Sequence, residues 1–573
     1  MNEDTIPQAR PPKVRLTTWI VVTACALLLA CISFVYFSQL TIIIGSGFLA
    51  PPIGAFFGDS SKNVWFNQSI NLLSVAVCLP VSQMADYWGR KWLLAVLLAV
   101  GFAGTMVISR AQNIATVIGG FVLVGINYGC QPILFAVPSE VLPRNMRPMA
   151  QATISISSSI GGYLGLVIGG ALLRYNDLEN YRIYFYIVAA FFGMSFLGVV
   201  LFYSPPPREE QVAFGLKEKL GKLDWVGYVL IASGLTLFCI ALAWSDNPYS
   251  WTDAHTLAPF IIGIVLIIAS IFYEWRIKND GIANHAVFAH RNTAIALLAM
   301  FLDGISFFTA NNYFGQQFSM FTGSDLLISG LAFGMLFILG GVSPVAFGWV
   351  STKLRIVRIP GAISLASICL FNALMATTKP STPEANYWGY MIFAGVGLGG
   401  ITPTMMVAAQ LTTPPELIAL VSGLITIARS VGGVVGLAIN NAIFNNTLSS
   451  ELPDKIGAAA TSLGFPGSSL ERLIAAIISQ DSIALSEIPG ATANIINAAQ
   501  AGRLEAYALA FRNCWIASAC FCIPGVIVTL FLKDPRTEFK SHIDAPVEAQ
   551  LAEEQKRGKV IHLEDVNDAR DDA

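Results

Sequence analysis

Membrane-length apolar runs are the feature of this sequence that most restricts its fold. A helix needs about 20 mostly apolar residues to cross a bilayer, and the chain contains fourteen such runs. They lie at residues 18–43, 64–84, 92–109, 114–136, 149–173, 183–203, 225–244, 256–275, 293–313, 326–350, 359–377, 386–410, 417–443 and 508–532. Only 12% of the 573 residues are charged, whereas soluble domains carry roughly 25%. The pattern therefore predicts an all-α, multi-pass membrane protein.

The distribution of lysine and arginine predicts which end of the bundle faces the cytoplasm. If the N-terminus is cytoplasmic, the inside segments before the C-terminal tail hold 17 of these residues and the outside loops hold eight. Because cytoplasmic loops carry the excess of positive charge, we expect both tails, residues 1–17 and 533–573, in the cytoplasm. The one long outside loop, 446–506, contains an amphipathic segment that fits either a surface helix or a substrate lid.

A short charged hairpin separates the second and third apolar runs. Its sequence, PVSQMADYWGRKW, occupies residues 80–92 and contains Asp86, Gly89, Arg90 and Lys91. The motif and its position resemble the signature loop between the second and third helices of the major facilitator superfamily of secondary transporters. Ser82 replaces the first glycine of that signature.

The end of the fourth run is expected to meet this hairpin. It carries Glu140, Arg144 and Arg147. A carboxylate and arginines at this place would form, with Asp86, an ion cluster that closes a cytoplasmic gate.

The resemblance also implies a domain organisation. Transporters of this kind have two six-helix halves around a site near the midplane of the membrane, and these halves would be residues 18–203 and 293–532. A charged cytoplasmic linker is expected at 204–224. LDWVGY, at 223–228, resembles the start of the two extra helices in fourteen-span drug:proton antiporters, so the insert is assigned to 225–275.

Small residues in the fifth run predict close helix packing. The run has Gly161, Gly165, Gly169 and Gly170, and glycines at this spacing let two helices approach closely in lipid. The spacing also resembles the antiporter signature of the family and favours export, although Leu166 stands where that signature has proline.

The fourth run departs from the family pattern. Phe121 stands where drug-efflux relatives have an arginine, so proton coupling through that arginine is excluded. The run offers three polar side chains instead: Asn127, Tyr128 and Gln131. They would either hydrogen-bond a neutral oxygenated substrate or pair with neighbouring helices.

Ionisable residues deep in the membrane are costly and mark functional sites by default. Asp303 in the ninth run and Arg429 in the thirteenth lie at nearly the same depth, because each is ten to twelve residues from the cytoplasmic start of its helix. They are the best candidates for a buried pair. The pair would either be a structural salt bridge or carry the coupling proton.

Further short motifs resemble the fungal branch that contains trichothecene efflux pumps and siderophore transporters. They are TPPEL before the thirteenth run, ARSVGG within it and FLKDP after the last run. The resemblance implies a proton-coupled antiporter that exports a bulky amphipathic metabolite, toxin or drug across the plasma membrane or the vacuolar membrane. Its partners would be a small-molecule substrate, protons and the lipid bilayer, and we expect a monomer.

Two other functions stay open. Proton-coupled uptake of a siderophore would need polar and aromatic residues around a large cavity, which the end of the ninth run offers: Asn311, Asn312, Tyr313, Gln316 and Gln317. A membrane sensor that does not transport would tolerate the departures from the coupling motifs.

No enzyme, metal or cofactor is expected. GLKEKLGKL, at 215–223, has five residues between its glycines and lacks the terminal Lys-Ser or Lys-Thr of a phosphate-binding loop. The five histidines and nine cysteines show no metal-ligand spacing. A net charge of −2 gives no indication of a nucleic-acid partner.

The hairpin motif generates a prediction about gating. Asp86 ends its helix at the partial negative pole of the helix dipole and therefore needs a cationic or helix-N-terminal partner. We expect Asp86→Asn to abolish transport while protein yield and delivery to the membrane stay at the wild-type level. Transport assays on vesicles with matched amounts of protein measure this, and full activity in the variant would contradict the gating role.

Overall fold

The computed structural model describes residues 14–59, 62–174, 178–203, 215–244, 249–278, 285–466, 469–479, 485 and 488–540. Within these ranges, fourteen helices are long and apolar enough to cross a membrane. The prediction of an all-α membrane protein with fourteen spans is thereby confirmed. Most of the predicted N-terminal tail, the first part of the linker and the C-terminal tail beyond residue 540 lie outside the described residues.

The helices run along the chain with short connections. In order, they are α1 (Val14–Phe57), α2 (Val64–Trp88), α3 (Arg90–Ser109), α4 (Ile114–Tyr128), α5 (Gln131–Val141), α6 (Arg147–Leu172), α7 (Tyr181–Phe202), α8 (Leu216–Lys222), α9 (Trp225–Trp244), α10 (Ala254–Arg276), α11 (His285–Phe288), α12 (Arg291–Thr322), α13 (Leu326–Leu354), α14 (Arg358–Ala376), α15 (Glu384–Gln410), α16 (Ile418–Ser462), α17 (Leu470–Ser479) and α18 (Ala493–Thr529). Helices α4 and α5 together form the fourth span.

The break in the fourth span has a local cause. Pro132, at the start of α5, has no backbone N–H and cannot continue the hydrogen-bonding pattern of a helix. The chain turns at Gly129 and Cys130, whose N–H groups bond carbonyls only three residues back. Gly129 also packs closely, because a β-carbon there would lie 2.5 Å from the side chain of Val77.

The two extra spans pack mainly on each other. Gly263 of α10 lies so close to α9 that a β-carbon would be 2.7 Å from the backbone nitrogen of Phe238. Helix α9 also contacts α2 and α16, whereas much of the apolar surface of α10 is exposed, as at Val265 and Ile268. The pair therefore lies beside the rest of the bundle. The boundaries of the predicted domains stay a prediction.

The glycines of the fifth span face two different helices. A β-carbon at Gly161 would lie 2.3 Å from the carbonyl oxygen of Phe37 in α1, and one at Gly170 would lie 2.9 Å from the α-carbon of Leu327 in α13. Gly165 and Gly169 also face α1, at Thr41 and Leu49. Small residues thus let α6 contact one helix from each predicted half.

A second close contact joins α12 and α16. A β-carbon at Gly432 would lie 1.9 Å from the carbonyl oxygen of Phe301, and one at Gly304 would lie 2.1 Å from that of Arg429. These glycines belong to the ARSVGG motif and to the ninth apolar run. The two backbones approach at the level of Asp303.

Helix extends into much of the segment predicted as an outside loop. Helix α16 continues to Ser462 and α18 begins at Ala493, so both pass well beyond the lengths that a bilayer requires. Their ends pack with the amphipathic α17 around a separate apolar core that includes Leu452, Ile456 and Leu473. The apolar periodicity of residues 448–460 explains the extension, because these side chains are buried by α17 and α18. We call this unit the outer helical subdomain.

The glycine contacts generate a prediction about stability. Gly432→Ala places a methyl group against a backbone oxygen that cannot rotate away, and overpacking of this kind costs about 1–3 kcal/mol. We expect a lower melting temperature and a lower yield of purified protein. Gly389→Ala is the matched control, because a β-carbon there meets nothing within 4 Å. Equal melting temperatures for the two variants would contradict the assigned helix contact.

Candidate functional site

The charged hairpin forms a tight turn between α2 and α3. Gly89 has a φ of +88°, a conformation that glycine adopts without the steric cost that other residues incur. Asp86 lies near the end of α2, and its side chain is outside the described part of the structure. Lys91 lies over the ring of Trp92, 5.7 Å from its centre.

Arg90 and Glu140 form a buried ion pair between α3 and α5. Both nitrogens Nη1 and Nη2 of the guanidinium donate to the two carboxylate oxygens, and both side chains are less than a tenth exposed. Removing one partner of such a pair leaves an uncompensated buried charge, which costs about 3–5 kcal/mol. The pair therefore fixes the hairpin to the end of the fourth span.

A hydrogen-bond network centred on Gln410 connects the two predicted halves at the same end of the bundle. Its members, which we call the Gln410 network, are Ser139, Arg147, Gln151, Gln410 and Ser422. Arg147 donates to the carbonyl oxygens of Ser139 and Gln410 at 2.8 and 2.9 Å. The Gln410 side chain accepts from Ser139 Oγ at 2.7 Å and donates to Ser422 Oγ at 2.8 Å. Gln151 donates to Ser139 Oγ at 2.7 Å.

Arg144 makes a different contact across the halves. Its Nη1 atom is 3.1 Å from Glu538, just after the last span, and the neighbouring Asn145 N–H donates to the carbonyl oxygen of Lys540. The structure describes three contacts of the residues that were predicted as one gate cluster: Arg90 with Glu140, Arg144 with Glu538, and Arg147 in the Gln410 network. The cluster with Asp86 stays a prediction. The Gln410 network and the Arg144–Glu538 contact connect the N-terminal half to later segments of the chain at the hairpin end.

Asp303 and Arg429 lie in contact in the interior of the bundle. The distance from Arg429 Nε to Asp303 Oδ2 is 2.7 Å, and Asp303 is fully buried. The contact is an ion pair and not a well-directed hydrogen bond, because neither atom has a hydrogen-bond partner of good geometry among the described residues. Asp303 Oδ1 also lacks a hydrogen-bond partner within the described ranges.

The arginine of this pair faces a small space between the halves. Its guanidinium lies 4.4 Å from the ring centre of Phe307. It lines a central cavity of about 50 Å³ together with Tyr36, Ser155 and Thr402. A change in the charge of Asp303 would therefore act, through Arg429, on the wall of this cavity.

A larger cavity lies at the end of the bundle opposite the hairpin. Its volume is about 630 Å³, within the range of sites for drug-sized ligands. Most of its polar side chains are amides, and we call it the amide cavity. They are Asn63, Asn67, Gln68, Asn311, Asn312, Gln316 and Asn441. Three of the predicted cavity residues, Asn311, Asn312 and Gln316, lie here.

Tyr313 and Gln317 were also predicted to line a cavity, but they face away from this one. Tyr313 packs against the rings of Phe444 and Phe511. Gln317 is fully buried, accepts from Trp515 Nε1 at 2.7 Å and donates to Thr378 Oγ1 at 2.6 Å. The helical period explains the split, because residues 313 and 317 share one face of α12 while 312 and 316 share another.

Two of the predicted polar residues of the fourth span, Asn127 and Tyr128, hydrogen-bond to other helices. Asn127 donates to the carbonyl oxygen of Leu97 at 2.9 Å and accepts from Gln39 Nε2 at 3.0 Å. The hydroxyl of Tyr128 donates to the backbone of Gln39. Gln131 is half-buried. Of the described residues that line the two cavities, none is Asn127, Tyr128 or Gln131.

Phe121 fills the place of the arginine that the family pattern has. It is fully buried, stacks on Phe66 with 5.1 Å between ring centres and meets Phe185 edge-on. This aromatic cluster is apolar. The fourth span therefore holds no charge at this position.

Sequence reasoning missed Gln410, Ser422 and Arg503. Gln410 is the last residue of a long apolar run. A polar amide at the end of such a run could have indicated a hydrogen bond to another helix. Arg503 lines the amide cavity although it belongs to the outer helical subdomain. Only the fold brings it there, because it is distant in sequence from every other lining residue.

Comparisons with known proteins agree with this architecture. The family model described as Major Facilitator Superfamily matches residues 29–437. Efflux pump FUS6 of Gibberella fujikuroi is 24% identical over 537 residues, which cover 92% of this chain and 91% of that protein. MFS-type transporter ucsD of an Acremonium species is 24% identical over 402 residues, covering 69% of this chain and 67% of that protein.

A solved structure shows the same fold. A bacterial homologue of the human lysosomal transporter Spinster, in an inward-facing and occupied conformation, superposes with a TM-score of 0.55 and 15% identity. The match covers 91% of this chain and 98% of that one. With fourteen apolar helices and a family match over most of its length, the chain belongs to the Major Facilitator Superfamily and is a multi-pass membrane transporter.

Proposed function

We propose that this transporter is a proton-coupled exporter of a bulky amphipathic metabolite, toxin or drug. The observation that carries the proposal is the buried Asp303–Arg429 pair, which lies beside a cavity between the two halves. The similarity to FUS6, an efflux pump by name, supports export. We further propose that the protein acts as a monomer in the plasma membrane, with the vacuolar membrane as the alternative.

Alternating access would require the two halves to separate at one end of the bundle while they close at the other. The Gln410 network and the Arg144–Glu538 contact join the halves at the hairpin end. The amide cavity lies between the halves at the opposite end. If the hairpin end is cytoplasmic, as the lysine and arginine distribution predicts, this conformation is outward-facing.

The walls of the amide cavity suit an amphipathic substrate. Amide side chains provide both donors and acceptors of hydrogen bonds. Between them lie apolar side chains, including Phe48, Met320 and Leu326. A molecule with an apolar body and several oxygen atoms would match both kinds of surface.

Proton coupling is assigned to Asp303. A proton on its carboxylate would cancel the charge that holds Arg429, and the guanidinium would then be free to move toward the central cavity. Loss of that proton would restore the ion pair. The two states of Arg429 would thus alternate with the protonation of Asp303, as antiport requires.

The amide cavity supports one alternative. Its donors and acceptors would also suit a siderophore, which would be taken up and not exported. The two directions differ in one assay: cells without an exporter accumulate the labelled substrate, whereas cells without an importer fail to acquire it. Failure to acquire would contradict the export proposal.

The closed end of the bundle generates a prediction about conformation. Gln410→Leu removes the amide that Ser139 and Ser422 bond, and leaving buried polar groups unsatisfied costs about 1–3 kcal/mol. We expect the cytoplasm-open population to rise by roughly tenfold. Spin labels at Met146→Cys and Lys353→Cys, which lie on the two halves at the hairpin end, measure it as a longer distance. Gln500→Leu, on the exposed surface of α18, is the control. An unchanged distance distribution in Gln410→Leu would contradict the closing role.

The assignment of Asp303 generates a prediction about coupling. Asp303→Asn removes the only group of the pair that exchanges a proton, and we expect a folded carrier that still exchanges substrate. It should no longer concentrate substrate against a gradient when a proton gradient is applied. Exchange and pH-driven accumulation are measured in the same vesicles.

A control variant separates coupling from structure. Asp454→Asn changes an exposed aspartate of α16, so it removes one negative charge and breaks no buried ion pair. We expect this variant to behave as the wild type. Normal pH-driven accumulation by Asp303→Asn would show that another group carries the proton, and loss of the folded protein would indicate a structural salt bridge.

A further inference from the structure

The amide cavity contains one charged residue among the described residues that line it. This residue is Arg503 of α18. Its Nε atom is buried and has no hydrogen-bond partner among the described residues, and no ion pair joins it to a described carboxylate. The residue as a whole is partly buried, and a partly buried guanidinium that faces a cavity is stabilised there by water or by an anion.

Two amide groups lie on the wall of the same cavity, one from each half. A β-carbon at Gly47 would lie 2.6 Å from Asn67 Nδ2 and 2.8 Å from Asn311 Nδ2. The Oδ1 atom of Asn67 accepts from Ser46 Oγ at 2.7 Å, which leaves its Nδ2 group directed toward Gly47. Because glycine occupies position 47, both amide nitrogens can lie close to the backbone there, at the cavity wall.

The amide cavity is also lined by a hydrogen-bond acceptor that has no partner among the described residues. Gln68 is almost fully buried and lines the cavity, yet its Oε1 atom has no hydrogen-bond partner in the described part of the chain. A buried amide oxygen without a partner calls for an explanation, and a bound water or a hydrogen-bond donor of a ligand would supply one. The cavity therefore has the features of a binding site and not only of a packing gap.

The central cavity resembles the amide cavity in the sign of its charged residue. Of the described residues that line it, the charged one is again an arginine, Arg429. Its carboxylate partner Asp303 lies behind it and is fully buried. Charged groups that face these two spaces are thus guanidinium groups, which offer donors in a planar fork and no acceptor.

We propose that Arg503, with the amides of Asn67 and Asn311, forms an anion-recognition site in the amide cavity, and that the transported substrate carries a carboxylate or a comparable anionic group. This inference rests on the proposed function as a transporter and adds the chemical class of its substrate. Arginine suits a carboxylate because it forms two parallel charge-assisted hydrogen bonds. A cationic substrate would be repelled at the same place. The outer helical subdomain thereby contributes a substrate-binding residue.

Binding of matched probes to the purified full-length protein tests the site. The probes are 1-naphthylacetate and its uncharged analogue 1-naphthylacetamide, together with two further aromatic carboxylates and their amides. We expect the wild type to bind each carboxylate more tightly than its amide. Arg503→Gln should weaken carboxylate binding by roughly tenfold, the equivalent of one charge-assisted hydrogen bond, and leave amide binding unchanged.

Three further variants complete the design. Arg503→Lys keeps the charge and should retain part of the preference. Asn311→Asp adds a negative charge to the cavity and should abolish it. Arg512→Gln is the control, because Arg512 lies on the same helix but lines a separate groove with Lys379 and Glu505.

The outcomes separate this inference from the proposed function. Any one of three results would overturn the anion site. They are equal affinity of the wild type for carboxylates and amides, no measurable binding of any carboxylate, and an unchanged preference for carboxylates in Arg503→Gln. Binding is measured without a gradient. A protein that prefers carboxylates through Arg503 but transports no substrate would refute the proposed function and support the anion site. A protein that exports substrates regardless of their charge would support the proposed function and refute the anion site.

Discussion

The buried Asp303–Arg429 ion pair is the interaction on which the account of this transporter depends. A charge in the interior of a membrane protein is costly unless it is paired, and here the two charges lie 2.7 Å apart. One member is fully buried and the other forms part of a cavity wall. The arrangement places an ionisable carboxylate against an arginine that lines a space between the two halves.

The backbone makes this contact possible. Helices α12 and α16 approach so closely at Gly304 and Gly432 that no β-carbon would fit without displacing a carbonyl group. Close approach brings an arginine of one helix against an aspartate of the other. Two residues of the ARSVGG motif therefore contribute to the ion pair. Arg429 provides the positive charge, and Gly432 lets α16 approach α12 closely.

Sequence reasoning reached the fold and part of the site. Apolar runs predict the fourteen spans because the bilayer sets their length, and equal depth along two helices was sufficient to suggest that Asp303 and Arg429 meet. The direction in which each side chain points from its helix was harder to predict. Gln316 lines the amide cavity, whereas the next residue, Gln317, is hydrogen-bonded inside the bundle. Contacts between distant segments, such as Arg503 with the amide cavity, depend on the tertiary fold and have no local signal.

Infrared difference spectroscopy on the purified transporter can show whether Asp303 takes up and releases a proton. A protonated carboxyl group has a C=O stretching band that an ionised carboxylate lacks, so the part of the spectrum that Asp303→Asn loses reports protonation of Asp303. If Asp303 takes up the proton, a band appears on acidification, diminishes when substrate binds at the same pH, and is absent from Asp303→Asn. An identical difference spectrum in the wild type and in Asp303→Asn would contradict the claim that this carboxylate takes up the proton.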